Sequence, residues 1–182
     1  LPRRYIFACS ADAIAAHMLL QTELESSKLA TSFRELPTKN ISELTIITKD
    51  KTGLFADIAG VLSAHGCSIA DAQIYTTQDG TAIDIIHIFD PSGEKSVPVQ
   101  RSYLIRESLD RILSGELKVE DIALAFQPGG LMSKRRRREP EIEFDNDVSA
   151  TESVLEIHAD DRVGLLYSMA LVFRKLGFTI DR

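Results

Sequence analysis

Residues 44–62 read LTIITKDKTGLFADIAGVL, a stretch that joins a β-branched segment to a helical one through a short turn. The segment from Glu43 to Thr48 is short and β-branched, which is typical of a strand. From Leu54 to His65 the apolar residues recur at helical spacing, and Gly66 follows as a stop signal. The turn between them, Asp50 to Gly53, places Asp50 where its side chain can cap the helix. The stretch therefore predicts a strand, a turn and an amphipathic helix.

The same pattern recurs 111 residues further along the chain. Residues 44–71 align without a gap with residues 155–182, and nine of the aligned positions are identical, the turn aspartate and glycine among them. The second copy stops at Arg182, where its next strand should begin. The repeat predicts one complete structural unit followed by the start of another.

The remaining elements of the first unit follow from turn residues and periodicity. They are a strand over 68–77, a hairpin turn over 78–80, a strand over 81–89, a helix over 99–113, a shorter helix over 119–126, and an alternating edge strand over 140–145. The order is βαββαβ, so we expect an α+β, ferredoxin-like fold with two helices on one face of a four-stranded antiparallel sheet.

Three regions are expected along the chain. Residues 1–40 are interpreted as a helix and linker belonging to a preceding domain: Ser10 caps a helix through Leu24, with Ile14 and Met18 facing a core, and the polar residues 31–40 form the linker. Residues 41–147 form the first unit, with a basic loop over 128–139, and residues 148–182 begin the second. The first residue is not a methionine, so we expect a piece of a longer protein.

Composition argues against several classes of protein. The formal net charge is −6, which disfavours general binding to nucleic acid or to anionic lipid. No apolar run is long enough to span a membrane. The basic run Lys134–Arg138 is interpreted as a solvated loop, with a docking patch as the less favoured alternative. Two cysteines, Cys9 and Cys67, are too few for a disulfide framework and fit a reducing cytoplasm.

No motif for catalysis or metal binding is found, so we assign no catalytic residue and no metal ligand. The four histidines lack metal-ligand spacing and are expected to have structural or surface roles: His17, His65, His87 and His158. Neither a Gly-x-Ser-x-Gly elbow nor a phosphate-binding glycine loop occurs.

The repeated turn suggests a binding site for a small zwitterion. Gly53 allows a ligand to approach the backbone closely, and the start of the helix offers N–H groups that suit a carboxylate. Asp50 can pair with an ammonium group, and a free amino acid carries both groups. The alternative stays open at this point: Asp50 only caps the helix, and Gly53 only relieves the turn.

The turns Asp50-Lys-Thr-Gly-Leu-Phe55 and Asp161-Arg-Val-Gly-Leu-Leu166, each in this order of elements, resemble those of ACT domains, which are amino-acid-sensing regulatory modules. Residues 48–62, 72–80 and 141–146 more narrowly resemble the tandem C-terminal ACT region of bacterial PII-protein uridylyltransferase/uridylyl-removing enzymes. The resemblance extends over nearly the whole chain, from residues 1–5 onward. The chain departs from the family at Thr52 and Val163, where a proline is usual, so both turns are less rigid.

The resemblance implies a regulatory region without chemistry of its own, and glutamine as the sensed amino acid. The parent enzyme would transfer uridylyl from UTP to the PII signalling protein, with Mg²⁺ as cofactor, or remove it by hydrolysis in the cytoplasm. The implied ligand-binding residues lie at corresponding places in the two repeats: Asp50, Lys51, Gly53, Leu54, Ile69 and Asp71 in the first, and Asp161, Arg162, Gly164 and Leu165 in the second. The ACT units are expected to pair with each other and to give a dimer.

Two other readings are compatible with the pattern. An ACT regulatory tail also occurs in amino-acid biosynthetic enzymes and in alarmone synthetases. An RNA-binding module with the same order of elements is disfavoured, because its third strand should carry a basic-Gly-aromatic signature. Residues 81–89 are instead aliphatic and include an acid.

Overall fold

The computed structural model describes residues 1–93, 95–125, 139–147, 153–178 and 180. The chain divides into two compact units, Leu1–Gln127 with Val163–Arg182, and Pro128–Arg162. Among the residues that the structure describes, no helix is long and apolar enough to cross a membrane.

A four-stranded antiparallel sheet forms the centre of the first unit. Its strands are β1 (Leu29–Leu36), β2 (Ile41–Lys49), β3 (Ser68–Thr76) and β4 (Thr81–Phe89), in the order β1-β2-β4-β3. The middle strands β2 and β4 are paired over eight residues, from Ser42 opposite Ile88 to Lys49 opposite Thr81. Both middle strands are almost entirely buried, which their β-branched, apolar composition favours.

Helices cover both faces of this sheet. They are α1 (Arg3–Ala8), α2 (Ala11–Gln21), α3 (Leu54–Ala64), α4 (Val99–Leu113), α5 (Val119–Ala125) and α6 (Leu165–Leu176). Side chains on successive strand residues point to opposite faces. Ile46 of β2 accordingly packs in a core with residues of α3, α4 and α5, whereas Ile47 packs in a second core with Tyr5 of α1.

The second unit contains a two-stranded antiparallel hairpin, β5 (Glu141–Asp145) and β6 (Val154–His158). The pairing runs from Glu141 opposite His158 to Asp145 opposite Val154. Ile142 and Phe144 of β5 are exposed.

The predicted elements from β2 to α5 are confirmed to within one or two residues at their ends, as is the α+β class with its four-stranded antiparallel sheet. Two predictions about the edge strands are wrong. The segment 31–40 is not a linker, because most of it belongs to β1 and the short 3₁₀ turn that leads into β2. The strand over 140–145 exists, but it pairs with β6 and does not join the four-stranded sheet.

The reason for both errors is that β1 occupies the edge beside β2. Leu29 to Leu36 pair in register with Thr48 to Ile41, so β1 and β2 form a local hairpin. An edge strand keeps much of its surface in water and therefore tolerates polar residues. The basic loop, including Lys134–Arg138, lies almost wholly outside the described residues. The domain boundaries at residues 40 and 147 stay predictions.

The N-terminal helices pack on the sheet and do not merely precede it. Ser10 caps α2 as predicted, its Oγ accepting from the N–H of Ala13 at 3.2 Å. Ile14 packs against the second core, but Met18 is exposed, which corrects its predicted orientation. His17 is buried on that side instead, with its Nδ1 2.8 Å from the Tyr5 hydroxyl.

We expect the packing of α1 and α2 to weaken at acid pH. Burial lowers the pKa of His17, so the folded chain binds its proton less readily than the unfolded chain does. The contribution of neutral His17 to the free energy of unfolding is then fully present above the unfolded pKa of about 6.5, and it is lost as the pH falls below that value. Between pH 7.5 and pH 5.5, the free energy of unfolding measured in urea should decrease less for His17→Gln than for wild type. The exposed His158→Gln should behave as wild type, and an equal loss in both variants would contradict the expectation.

Candidate functional site

The turn between β2 and α3 is held by its backbone. The Asp50 N–H donates to the carbonyl oxygen of Gly80 at 2.9 Å, and the Leu54 N–H donates to that of Lys51 at 3.0 Å. Gly53 stands at the N-cap of α3 with φ at +81°, in the left-handed region. Only glycine adopts that conformation at little cost, so the sequence requires glycine at this point.

Asp50 does not cap the helix, which rejects the simpler of the two readings of this residue. Its side chain is exposed, and its Oδ2 accepts from the Thr76 hydroxyl of β3 at 3.3 Å. No side chain caps α3 at Gly53. The Asp50 carboxylate therefore lies exposed at the end of the sheet, beside the last residue of β3.

The first turn of α3 carries a buried acid with two cationic partners. Asp57 contacts Lys51 Nζ at 2.7 Å through Oδ2, and Arg174 Nη1 at 3.1 Å through Oδ1. Arg174 also pairs with Glu120 of α5. A hydrogen bond from its own backbone N–H, aided by Arg174, lowers the pKa of Glu120. These charges link the start of α3 to α5 and to α6.

Each turn glycine is covered by a side chain from the helix of the other repeat. A Cβ at Gly53 would overlap the Cδ of Arg174 in α6. A Cβ at Gly164, which has φ at +79°, would lie 2.8 Å from the hydroxyl of Ser63 in α3. Ser63 and Arg174 occupy corresponding positions of the repeat, 111 residues apart. The two contacts are thus reciprocal, as an approximate two-fold axis between α3 and α6 requires.

The structure separates the other residues that the sequence assigned to the site. Leu54 is buried in the core, and Ile69 packs against the same core. Asp71 is exposed on the opposite face of the sheet, where its Oδ2 lies 3.3 Å from His87 Nδ1. Asp71 is therefore not brought together with Asp50 and Gly53.

In the second repeat, Gly164 and Leu165 begin α6 just as Gly53 and Leu54 begin α3. The N–H of Ser168 donates to the Gly164 carbonyl at 2.9 Å, matching the bond from Asp57 to Gly53 at 3.0 Å. Asp161 and Arg162, which belong to the second unit, are exposed.

Asp84 of β4 is a buried acid that the sequence analysis does not assign to the site. Its side chain is 1% exposed, and its Oδ1 has no hydrogen-bond partner. Burial and the charge of Asp50 raise the pKa of Asp84 to about 7. The signal in the sequence is an acid within the aliphatic strand 81–89, where burial of a carboxyl is costly unless it is compensated.

Within the described ranges, no group of three or more histidine, cysteine, aspartate or glutamate side chains is arranged to hold a metal ion. The histidines there contact neighbouring polar groups, as His65 does with the Ser108 hydroxyl at 2.9 Å. His87 lies between Asp71 and Glu43, at 3.3 Å from each, an arrangement that spacing along the chain does not reveal.

Comparison with known proteins gives one domain match and a set of longer relatives. Residues 42–97 match the ACT domain family. The chain is 33% identical over 165 residues to the bifunctional uridylyltransferase/uridylyl-removing enzyme of Bradyrhizobium sp. (strain ORS 278), and 34% identical over 167 residues to that of Rhodopseudomonas palustris (strain ATCC BAA-98 / CGA009). Each alignment covers 91% of this chain but only 18% of the relative. No solved structure matches the chain.

The contact between Gly53 and Arg174 can be isolated by a matched pair of glycines. Gly115→Ala, at φ +82° with nothing within 4 Å, introduces backbone strain alone and should cost about 1 kcal/mol in the free energy of unfolding. Gly53→Ala, at φ +81°, adds the overlap with Arg174 and should cost clearly more.

The excess should disappear when both glycine variants are compared in an Arg174→Ala background, as measured by urea unfolding. If both glycine variants lose the same free energy of unfolding when Arg174 is present, the Arg174 side chain of α6 does not restrict the space at this turn.

Proposed function

Since residues 42–97 form an ACT domain, we propose that this chain is the regulatory, amino-acid-sensing region of a bifunctional PII uridylyltransferase/uridylyl-removing enzyme. The similarity to such enzymes over 91% of the chain supports this assignment. The chain spans only 18% of the length of those relatives. Uridylyl transfer from UTP with Mg²⁺, its removal, and the contact with PII therefore belong in this proposal to the remainder of a cytoplasmic enzyme.

The observation that carries the sensing role is the glycine turn that occurs twice. Gly53 and Gly164 have nearly the same φ and each begins a helix that contributes to the first unit. The N-terminal N–H groups of a helix favour a carboxylate. Beside the first turn, the exposed Asp50 offers a negative charge to an ammonium group. The pair of features fits the two charged ends of a free amino acid, for which glutamine is our candidate.

Signal transmission would use the contact between α3 and α6. A ligand that approaches Gly53 has to share space with the Arg174 side chain, so binding would alter the packing of α6. A ligand that binds one packing better than the other shifts the population toward it. The proposed consequence is a change in the balance between the two activities of the parent enzyme.

The proposed first site consists of Asp50, Lys51 and Gly53. In the second repeat Gly164 is the corresponding turn residue of the first unit, and Asp161 and Arg162 stay candidates on the sequence alone. Asp71 is left out because it faces the other side of the sheet. Pairing of ACT units is part of the proposal, and a dimer of the whole enzyme is its extension. The curated relatives favour this parent enzyme over an amino-acid biosynthetic enzyme or an alarmone synthetase.

Calorimetric titration of glutamine into the full-length protein tests the proposal, and we expect saturable binding. Asp50→Asn should keep the fold, because the amide oxygen can still accept from Thr76, but should weaken binding about tenfold by removing one charge. Asp161→Asn tests the second turn in the same way. The exposed Asp110→Asn in α4 removes an equal charge elsewhere and should bind as wild type.

Absence of heat up to tens of millimolar glutamine, with the other amino acids also silent, would overturn the sensing role. Unchanged binding in both Asp50→Asn and Asp161→Asn would show that the ligand does not use these turns.

A further inference from the structure

The buried acid Asp84 lies on the same face of the sheet as the start of α3. Ile83 and Ile85 belong to the core beneath α1 and α2, whereas Ala82 and Ile86 belong to the core beneath α3. Because side chains alternate along a strand, Asp84 faces α3. Directly opposite it on the neighbouring strands are Ile46 and Ile74, so its surroundings in the sheet are apolar.

Asp84 lies inward from the end of the sheet where Asp50 lies. Thr76, which donates to Asp50, is paired with Ala82, and the pair of Ile74 with Asp84 is the next one inward on the same face. Two residues along a strand correspond to about 7 Å. The carboxyl of Asp84 therefore lies about two strand residues further into the fold than the exposed carboxylate of Asp50.

A buried carboxyl in this position destabilises the fold unless a hydrogen-bond donor or a positive charge compensates it. Buried polar side chains are nearly always hydrogen-bonded, and an unpaired one calls for a specific explanation. Here the Oδ1 of Asp84 has no partner, and the charge of Asp50, which raises the pKa of Asp84, has the same sign. Since both groups that act on each other here are acids, a positive charge supplied from outside would stabilise the ionised form of Asp84.

We propose that Asp84 is the buried anchor for the ammonium group of the amino acid that this domain senses, with Asp50 as the outer acid on its path. The inference rests on the proposed function and adds to it a binding residue inside the fold. The carboxylate of the ligand would remain at the N–H groups that follow Gly53, while its ammonium points inward to Asp84.

An ammonium group fits this place better than a metal ion. Calcium and magnesium ions take six or more oxygen ligands, and the described residues provide no cluster of three or more acids, histidines or cysteines. The other charged groups at the first turn of α3 satisfy each other, since Lys51 and Asp57 are 2.7 Å apart. Asp57 is also held by Arg174, so Asp57 does not compete with Asp84 for the ammonium group.

Binding should release a proton at neutral pH. Burial, together with the charge of Asp50, raises the pKa of Asp84 to about 7, so part of the population is protonated there. An ammonium ion pairs with the ionised form and lowers that pKa in the complex. Affinity should therefore increase as the pH rises through 7, and calorimetry in buffers of different ionisation enthalpy should detect the released proton.

The decisive variant is Asp84→Asn in the full-length protein, titrated with glutamine and with glutaramate, which is glutamine without its amino group. In wild type, glutamine should bind at least tenfold more tightly than glutaramate. In Asp84→Asn that preference should fall close to unity, the proton release should vanish, and thermal stability should be equal or higher because an uncompensated buried acid is gone. Asp110→Asn, which changes the same charge at an exposed position, should keep both the preference and the proton release.

A second measurement covers the case in which Asp84→Asn does not fold. In wild-type protein labelled with carbon-13 at aspartate carboxyls, saturation with glutamine should lower the pKa of the buried carboxyl, and glutaramate should leave it unchanged.

If glutamine binds to wild type, but Asp84→Asn keeps the preference and the carboxyl pKa does not move, Asp84 is only a structural acid and the inference is overturned while sensing stands. If wild type binds none of the twenty amino acids, the proposed function and this inference are both overturned.

Discussion

The first unit depends on two middle strands that are buried on both faces. Ile46 and Ile47 are neighbours in β2, and both side chains are fully buried, one on each side of the sheet. Each buried aliphatic side chain of this size contributes about 1.5–3 kcal/mol, so neither face can be left in water. Helices α3, α4 and α5 cover one face, and α1 and α2 cover the other. The N-terminal helices are therefore part of the fold of the first unit.

The reciprocal contact between α3 and α6 ties the two repeats together. The Arg174 side chain lies against the turn at Gly53, and the Ser63 side chain lies against the turn at Gly164. A change in the conformation of one turn would therefore affect the helix that begins at the other turn. Packed helices have discrete arrangements and do not deform continuously, which makes such an interface suited to switching between two states.

The sequence predicted those elements whose signals are local. Strands β2 and β4 and helix α3 follow from β-branching and helical spacing, and the turn at Gly53 follows from the need for positive φ. Edge strand β1 is half polar, and its few apolar residues do not alternate strictly, so the sequence does not reveal it. The sequence does predict β5 as a strand but gives it the wrong partner, because pairing is not local. Asp84 was visible as an acid in an aliphatic strand, but only packing shows that its oxygen has no partner.

The position of β1 also determines when the sheet can form. Every pair of strands in the four-stranded sheet lies within residues 29–89. A fourth strand taken from residues 140–145 would instead have required closing a loop of about ninety residues, and loop-closure entropy increases with loop length. A nascent chain can therefore complete this sheet together with its covering helices once α5 has left the ribosome, before the second repeat has been synthesised. Helix α6 would then dock onto a surface that already exists.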